Sequence, residues 1–300
     1  MEKEPLVSVG IPCYNRPESM KRTLERITGQ TYRNLEIIVS DNCSSDPRVE
    51  SVGREFASKD LRVQYYRQDE NKGAMSNFQF VLEKATGEYF MWAADDDLLD
   101  LDYVESLMSI HFTSEYILVG ANYDLEGPSG IFKNVIMELP KKLWKNLGPN
   151  YQSLKLFLKT PHWRTQKQAL FYGIYKKEKL LNYILSKETV FFHNLIDIGS
   201  DLLIIYAMIC SGPVCGLNKK IWIHHVDYEI KGVSFYEELR RLMTILPEIP
   251  TKTTKYDKEI DMYIEEIKSL SEICINGSLE KIMIYIYIAR YKLTLKYWYF

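Results

Sequence analysis

The sequence predicts an α/β fold: a mostly parallel sheet with flanking helices, followed by a helical appendage. Three observations carry that expectation. Through the first hundred residues, short apolar runs alternate with helix-patterned stretches, the order that a parallel sheet with crossover helices requires. The apolar runs end in polar or acidic segments, Pro12 to Asn15, Asp41 to Ser45 and Asp95 to Asp97, and ligands of open α/β sheets collect outside such carboxyl ends. From Tyr236 onward the pattern becomes helical.

Taken in order, Leu6 to Ile11 reads as the first strand. A helix starts at Asn15-Arg16-Pro17-Glu18, with proline in its first turn, and stops at Gly29. Leu35 to Ser40 is the second strand, a helix follows Asp46, and Arg62 to Tyr66 is the third strand. Ala74 to Ala85 is helical, and Glu88 to Ala93 is a fourth strand running into the acids. Beyond it the spacing predicts a helix near Tyr103, a strand at Glu115 to Ala121, a loop-rich stretch from Gly127 to Asn150 and a strand at Leu170 to Tyr175. A helix at Ser200 to Cys210, a strand at Val214 to Ile223, and helices at Tyr256 to Ile273 and Leu279 to Tyr297 complete the reading. The chain divides into residues 1–230, with halves 1–100 and 101–230, and a helical extension at 231–300.

Composition narrows the function. Hydrophobic residues at 46% and charged residues at 26% exclude disordered and collagen-like classes. Thirty-eight basic against 40 acidic residues give a net charge of -2, so no overall field draws nucleic acid. Five cysteines without a CxxC pair indicate neither a disulfide framework nor a cysteine zinc site and suit a reducing cytoplasm. Met1 to Pro5 leads straight into a strand without the regions of a secretory signal. No uncharged apolar run reaches the roughly 18 residues of a membrane span. The last twenty residues are basic and crowded with Tyr, Trp, Ile and Leu. That segment reads as a helix docked on its own domain or on a second subunit of a homodimer. The alternative is an interfacial helix on anionic lipid, making the protein peripheral at the inner face of the membrane.

Asp95-Asp96-Asp97 carries the chemistry. Three adjacent like charges at a strand end repel unless a cation joins them, and carboxylate oxygens are hard ligands suited to Mg²⁺ or Mn²⁺ and to bridging substrate phosphates. Helix capping accounts for Asp100 or Asp102 near Tyr103, and poorly for the three consecutive acids.

Leu6-Val7-Ser8-Val9-Gly10-Ile11-Pro12-Cys13-Tyr14-Asn15-Arg16 resembles the opening strand of family 2 glycosyltransferases. Glu36 to Asp46, Asn71-Lys72-Gly73 with Asn77, and Gly87-Glu88-Tyr89 before the acids follow the same pattern in order and spacing. The resemblance covers residues 5 to 228 and implies the GT-A fold, with a Rossmann-like half that binds a nucleotide-diphospho-sugar; a UDP-sugar is the first donor to try. It places Pro12, Tyr14, Arg16, Asp41, Asn71, Gly73 and Asp95 at the donor nucleotide, and Asp96, Asp97 and His225 at a divalent metal. It also makes Asp201 the catalytic base of an inverting transfer to a saccharide or lipid-linked saccharide hydroxyl, with Asp197 one turn upstream as a rival. The family's Asp-x-Asp motif is altered, because Ala94 stands where its first Asp falls. Pro161-His162-Trp163-Arg164 is a candidate saccharide platform.

Other classes lack their motifs. No G-x-G-x-x-G follows a strand, and neither G-x-x-x-x-G-K nor H-E-x-x-H occurs. The altered acidic motif keeps a second reading open, a glycosyltransferase-like chain that binds nucleotide or lipid without transferring sugar.

Overall fold

The computed structural model describes residues 4–112, 115–127, 130–132, 147–159, 167–185, 200–225 and 257–298. Four strands, β1 (Val7–Cys13), β2 (Leu35–Asp41), β3 (Val63–Arg67) and β4 (Tyr89–Trp92), pair in parallel in the order β3-β2-β1-β4. Every residue of β1, β2 and β4 is buried, which is why these strands read as near-continuous apolar runs. The order reverses at β1: the chain leaves β1 on one side for β2 and β3, then crosses over to β4 on the other. That reversal opens a crevice outside the carboxyl ends of β1 and β4.

The helices between these strands start where their capping residues require. Helix α1 (Pro17–Thr28) opens on proline, and α2 (Pro47–Lys59) is capped by Asp46, whose side chain accepts from the Arg48 N–H at 3.0 Å. Helix α3 (Ala74–Lys84) follows Gly73, whose φ of 85° favours glycine. It packs so closely that a Cβ at Gly10 would lie 2.6 Å from Val81 Cγ2.

The second half is mixed. It comprises β5 (Leu98–Leu99), α4 (Tyr103–Phe112), β6 (Leu118–Gly127), β7 (Gly130–Phe132), α5 (Tyr151–Lys159), a 3-10 turn (Lys167–Leu170), β8 (Ile174–Lys176), α6 (Lys177–Leu185), α7 (Ser200–Ser211) and β9 (Val214–His225). Strand β8 inserts antiparallel between β4 and β6, and β9 runs parallel to β6 and antiparallel to β5. The acidic segment is therefore tethered at both ends, by β4 and by β5 on β9. An aromatic cluster joins the halves beneath the crevice: Trp92 stacks on Phe171 with centroids 4.8 Å apart, and its indole N–H donates to the Phe78 carbonyl at 3.0 Å.

Helices α8 (Asp257–Cys274) and α9 (Ser278–Trp298) pack on each other, α8 against α7 and α9 against α5. Ile260, Tyr263, Ile267, Ile284, Ile288 and Tyr291 are buried there, and Tyr206 and Ser271 share a 2.7 Å hydrogen bond between α7 and α8. One face of the basic, aromatic tail is thus covered by its own chain. Among the described residues no helix is long and apolar enough to cross a membrane.

The strand expected at Glu115 to Ala121 instead begins at Leu118 and continues to Gly127, held by its pairing with β9. That expected at Leu170 to Tyr175 shrinks to Ile174–Lys176, because Lys167–Leu170 winds into the 3-10 turn. The helical pattern from Tyr236 to residue 256 lies outside the described residues. So does most of the Gly127 to Asn150 stretch, although Leu147 bridges to Val214.

Candidate functional site

The crevice is built by loops stitched together by one asparagine. Asn15 takes a left-handed backbone with φ 55°, a conformation asparagine tolerates better than most residues. Its amide oxygen accepts from the Ser45 N–H at 2.8 Å and the Asp46 N–H at 3.2 Å, while its own N–H donates to Ser44 Oγ at 2.9 Å. The loops after β1 and β2 are thereby fixed to each other. Asn77 of α3 fastens their base, accepting from Ser40 Oγ at 2.6 Å and donating to the Ser40 carbonyl at 2.9 Å. The resulting cavity has a volume of about 350 Å³. Pro12, Tyr14, Arg16, Asn71 and Asp95 line it, so five of the seven residues expected at the nucleotide come together; Asn42, Asn77 and Phe78 complete much of the wall. Tyr14 is 43% exposed, leaving its ring open to stack on a base.

Asp41 and Gly73 do not line the cavity. Asp41 is fully buried, accepting from Tyr65 OH at 2.8 Å, Arg67 Nη1 at 2.7 Å and the Ser44 N–H at 2.8 Å. The residue after it, Asn42, reaches the cavity and donates to Asn71 Oδ1 at 2.8 Å and the Gly73 carbonyl at 3.1 Å. Cys13 also lines the cavity. Burial first, and then the charges of Asp95 and Asp41, push its pKa well up, which keeps it a thiol and a poor nucleophile.

At the mouth, Arg16 Nη1 lies 2.6 Å from Asp96 Oδ2 and 3.2 Å from Asp95 Oδ1. Asp95 is buried and also accepts from the Tyr14 N–H at 3.4 Å. Desolvation and the neighbouring Asp96 charge push its carboxyl up to about 7, although Arg16 opposes the shift. Asp97 is 1% exposed, and its backbone carbonyl accepts from Thr23 Oγ1 at 3.0 Å. Among the described residues no three His, Cys, Asp or Glu side chains converge on one point. Asp95 and Asp96 nevertheless present hard oxygens to a common cation, Arg16, and this donor chemistry fits a divalent ion.

Asp201 occupies the first turn of α7 and is half-buried. Desolvation raises its pKa against the backbone N–H groups of Leu202 and Asp201, and a raised pKa suits a general base. Tyr172, which the sequence did not single out, links this acid to the others. After burial, the charges of Asp97, Asp201 and Asp96 all push its phenol pKa well up, so it lies within electrostatic reach of both groups. The sequence signal for it is local: Tyr172 precedes Gly173, where a Cβ would meet the Val119 carbonyl at 2.4 Å and prevent the loop from closing on β6.

The register of β5 on β9, with Leu98 opposite Ile223, runs the end of β9 alongside the acidic segment and brings the backbone of His225 to that side. The His225 side chain, Asp197 and the segment Pro161 to Arg164 lie outside the described residues.

Residues 8–174, more than half of the chain, match the family described as Glycosyl transferase family 2. The chain belongs to that family. A GalNAc(5)-diNAcBac-PP-undecaprenol beta-1,3-glucosyltransferase of Campylobacter jejuni is 28% identical over 186 residues, 61% of this chain and 56% of that protein. The glycosyltransferase GlyA of Streptococcus pneumoniae is 32% identical over 128 residues, 42% of this chain and 18% of that protein. The chain thus spans little more than half, or less, of these curated relatives. The structure of S. aureus TarS 1-349 in complex with UDP superposes with a TM-score of 0.59 at 14% identity, covering 97% of this chain and 90% of that one. GalNAc-T7 with UDP, GalNAc and Mn2+ gives 0.57 at 15% identity over 76% of this chain and 45% of that one. The GT-A fold of these glycosyltransferases is shared across the family 2 match and beyond it.

Proposed function

We propose that this family 2 member is an inverting glycosyltransferase that moves a sugar from a nucleotide-diphospho-sugar to the hydroxyl of a saccharide or lipid-linked saccharide. One observation carries the reading: the residues whose types suit a nucleotide, Pro12, Tyr14, Asn71 and Asp95, line a single cavity whose mouth holds paired carboxylates. Tyr14 stacks on the base, and Arg16 pairs with the diphosphate. Asp201 takes the proton of the acceptor hydroxyl as its oxygen attacks the anomeric carbon opposite the leaving diphosphate.

Asp96 is the first candidate ligand for a divalent metal, with Asp97 and His225 as further candidates and Asp95 in reach of the same point through the guanidinium it shares with Asp96. When bound, such an ion supplies charge stabilisation for the departing diphosphate. UDP and Mn2+ accompany GalNAc-T7 in its solved structure, which makes a UDP-sugar with Mn²⁺ or Mg²⁺ the first combination to test. The Campylobacter relative is named for an undecaprenol-PP-linked acceptor, and this directs the acceptor search to lipid-linked glycans in cell-surface glycan synthesis. In this reading residues 1–230 form the transferase domain and 231–300 a helical extension.

Donor hydrolysis followed by proton NMR of the released sugar tests the proposal. An α-linked donor is expected to release the β-anomer first, and Asp201→Asn is expected to lower turnover by about 10²–10⁴-fold while leaving nucleotide binding intact. First release of the α-anomer contradicts inversion. Nucleotide binding without turnover of any donor by the wild type favours the alternative that Ala94 motivates, a binding partner that transfers nothing.

A further inference from the structure

Arg16 meets both acids through one atom. Its Nη1 is within 3.2 Å of Asp95 Oδ1 and 2.6 Å of Asp96 Oδ2, so a single positive centre is shared by carboxylates of consecutive residues. Two hard oxygens around one point charge is also the arrangement that a small divalent cation seeks. Arg16 Nη1 sits at the point between those oxygens, so a cation seated at that point displaces it. Charge counting separates the two states: when both carboxylates are ionised, Asp95 and Asp96 carry two negative charges, one of which Arg16 neutralises, whereas a divalent ion neutralises both. The divalent ion leaves the guanidinium in surplus, and an incoming diphosphate can absorb it, since arginine pairs with phosphate through two parallel N–H donors.

The local structure permits that exchange. Arg16 stands between left-handed Asn15 and the proline that opens α1, and its side chain is 47% exposed, so the guanidinium can move without disturbing the core. Asp95 and Asp96 are confined by comparison, with side chains 9% and 15% exposed in a segment tethered by β4 and β5. The acids are the fixed part and the arginine is the movable part.

We propose that Arg16 is a built-in placeholder for the divalent cation, neutralising Asp95 and Asp96 until a nucleotide diphosphate draws the guanidinium away and releases both carboxylates to the metal. This rests on the donor-site reading above and deepens it. Metal binding is then weak alone and strong with nucleotide, and by linkage the metal strengthens nucleotide binding by the same factor. Arg16 is a positioning residue in this scheme as well as a phosphate contact.

The test is direct Mn²⁺ binding, read from the electron paramagnetic resonance of the free aquo ion, for wild type, Arg16→Gln and Arg16→Lys, with and without UDP or GDP. Arg16→Gln is expected to bind Mn²⁺ alone about tenfold more tightly than wild type, with nucleotide enhancement falling from about tenfold to about twofold. Arg16→Lys, which keeps the charge, is expected to stay near wild type for Mn²⁺ alone. Mn²⁺ binding by Arg16→Gln that is equal to or weaker than wild type overturns the proposal, as does an absence of binding by either protein. If Arg16→Gln does not fold, the wild type still decides: nucleotide must tighten its Mn²⁺ binding, and a lack of enhancement refutes the placeholder. Failure of the donor-site reading shows differently, as no nucleotide binding by any of the proteins, and the metal-only comparison still judges Arg16.

Discussion

The strand ends on either side of β1 carry buried aspartates in opposite states of satisfaction. At the end of β2, Asp41 is completely buried and its two oxygens accept three bonds from Tyr65, Arg67 and the Ser44 backbone. In the loop after β4, Asp95 is 6% exposed, but its acceptors face a long 3.4 Å backbone bond and a guanidinium shared with Asp96, and a like charge stands beside it. Burial is nearly equal at the two positions, so burial does not separate structure from function. What separates them is whether the charge has been answered within the protein, and the partly answered charge of Asp95 is what makes its crevice the candidate site.

The sharpest way to break this comparison is to move to Asp201, the proposed general base, which is also raised in pKa. Asp201→Asn is expected to lower transfer by about 10²–10⁴-fold with the fold intact, the range for loss of a general base. A smaller loss in steady-state assays assigns the proton transfer elsewhere. Asp41→Ala is expected to act on stability instead, costing about 3 kcal/mol in urea unfolding because Tyr65, Arg67 and the Ser44 N–H lose a buried acceptor. Its activity per folded molecule should change far less than that of Asp201→Asn.

Asp95→Asn should do the reverse of Asp41→Ala. The folded pKa of Asp95 is raised from 3.8 to about 7, so the native state holds more protons than the unfolded state between those values, and stability is lost as pH rises through that window. Removing the charge is expected to stabilise the protein at pH 8 by on the order of 2 kcal/mol and to do little at pH 4. The smallest effect is at His111, where burial lowers the pKa from 6.5 to about 4 and the Ile174 carbonyl lies 2.9 Å from Nε2. Here the unfolded state holds more protons, so stability falls as pH drops from 6.5 towards 4. His111→Gln is expected to flatten that fall by on the order of 1 kcal/mol in denaturation curves recorded across the window.

Much of the first half was legible in the sequence because its signals are local. Pro17 and Asp46 announce α1 and α2, and strands buried on both faces leave unbroken apolar runs at β1 and β2. The second half depends on contacts distant in sequence. Strand β6 extends to Gly127 because β9 lies beside it, and β8 is a three-residue strand held only by its antiparallel partners β4 and β6. The site shows the same divide. Pro12, Tyr14 and Asp95 fall in the strand-end segments the topology brings together and Arg16 is named through the family resemblance, whereas the closure of Asp41 by Tyr65 and Arg67, the sharing of Arg16 and the position of Tyr172 are pair relations that no spacing along the chain encodes.

The crevice at the ends of β1 and β4 is proposed to bind a nucleoside diphosphate. The most direct test is thermal unfolding with UDP, GDP, dTDP and CDP, each with and without Mn²⁺. One nucleotide at a hundred times its dissociation constant is expected to stabilise the wild type by about 2.7 kcal/mol, with Mn²⁺ enlarging the shift and Tyr14→Ala reducing it. No shift with any nucleotide, or an equal shift in Tyr14→Ala and Asp96→Ala, contradicts the claim.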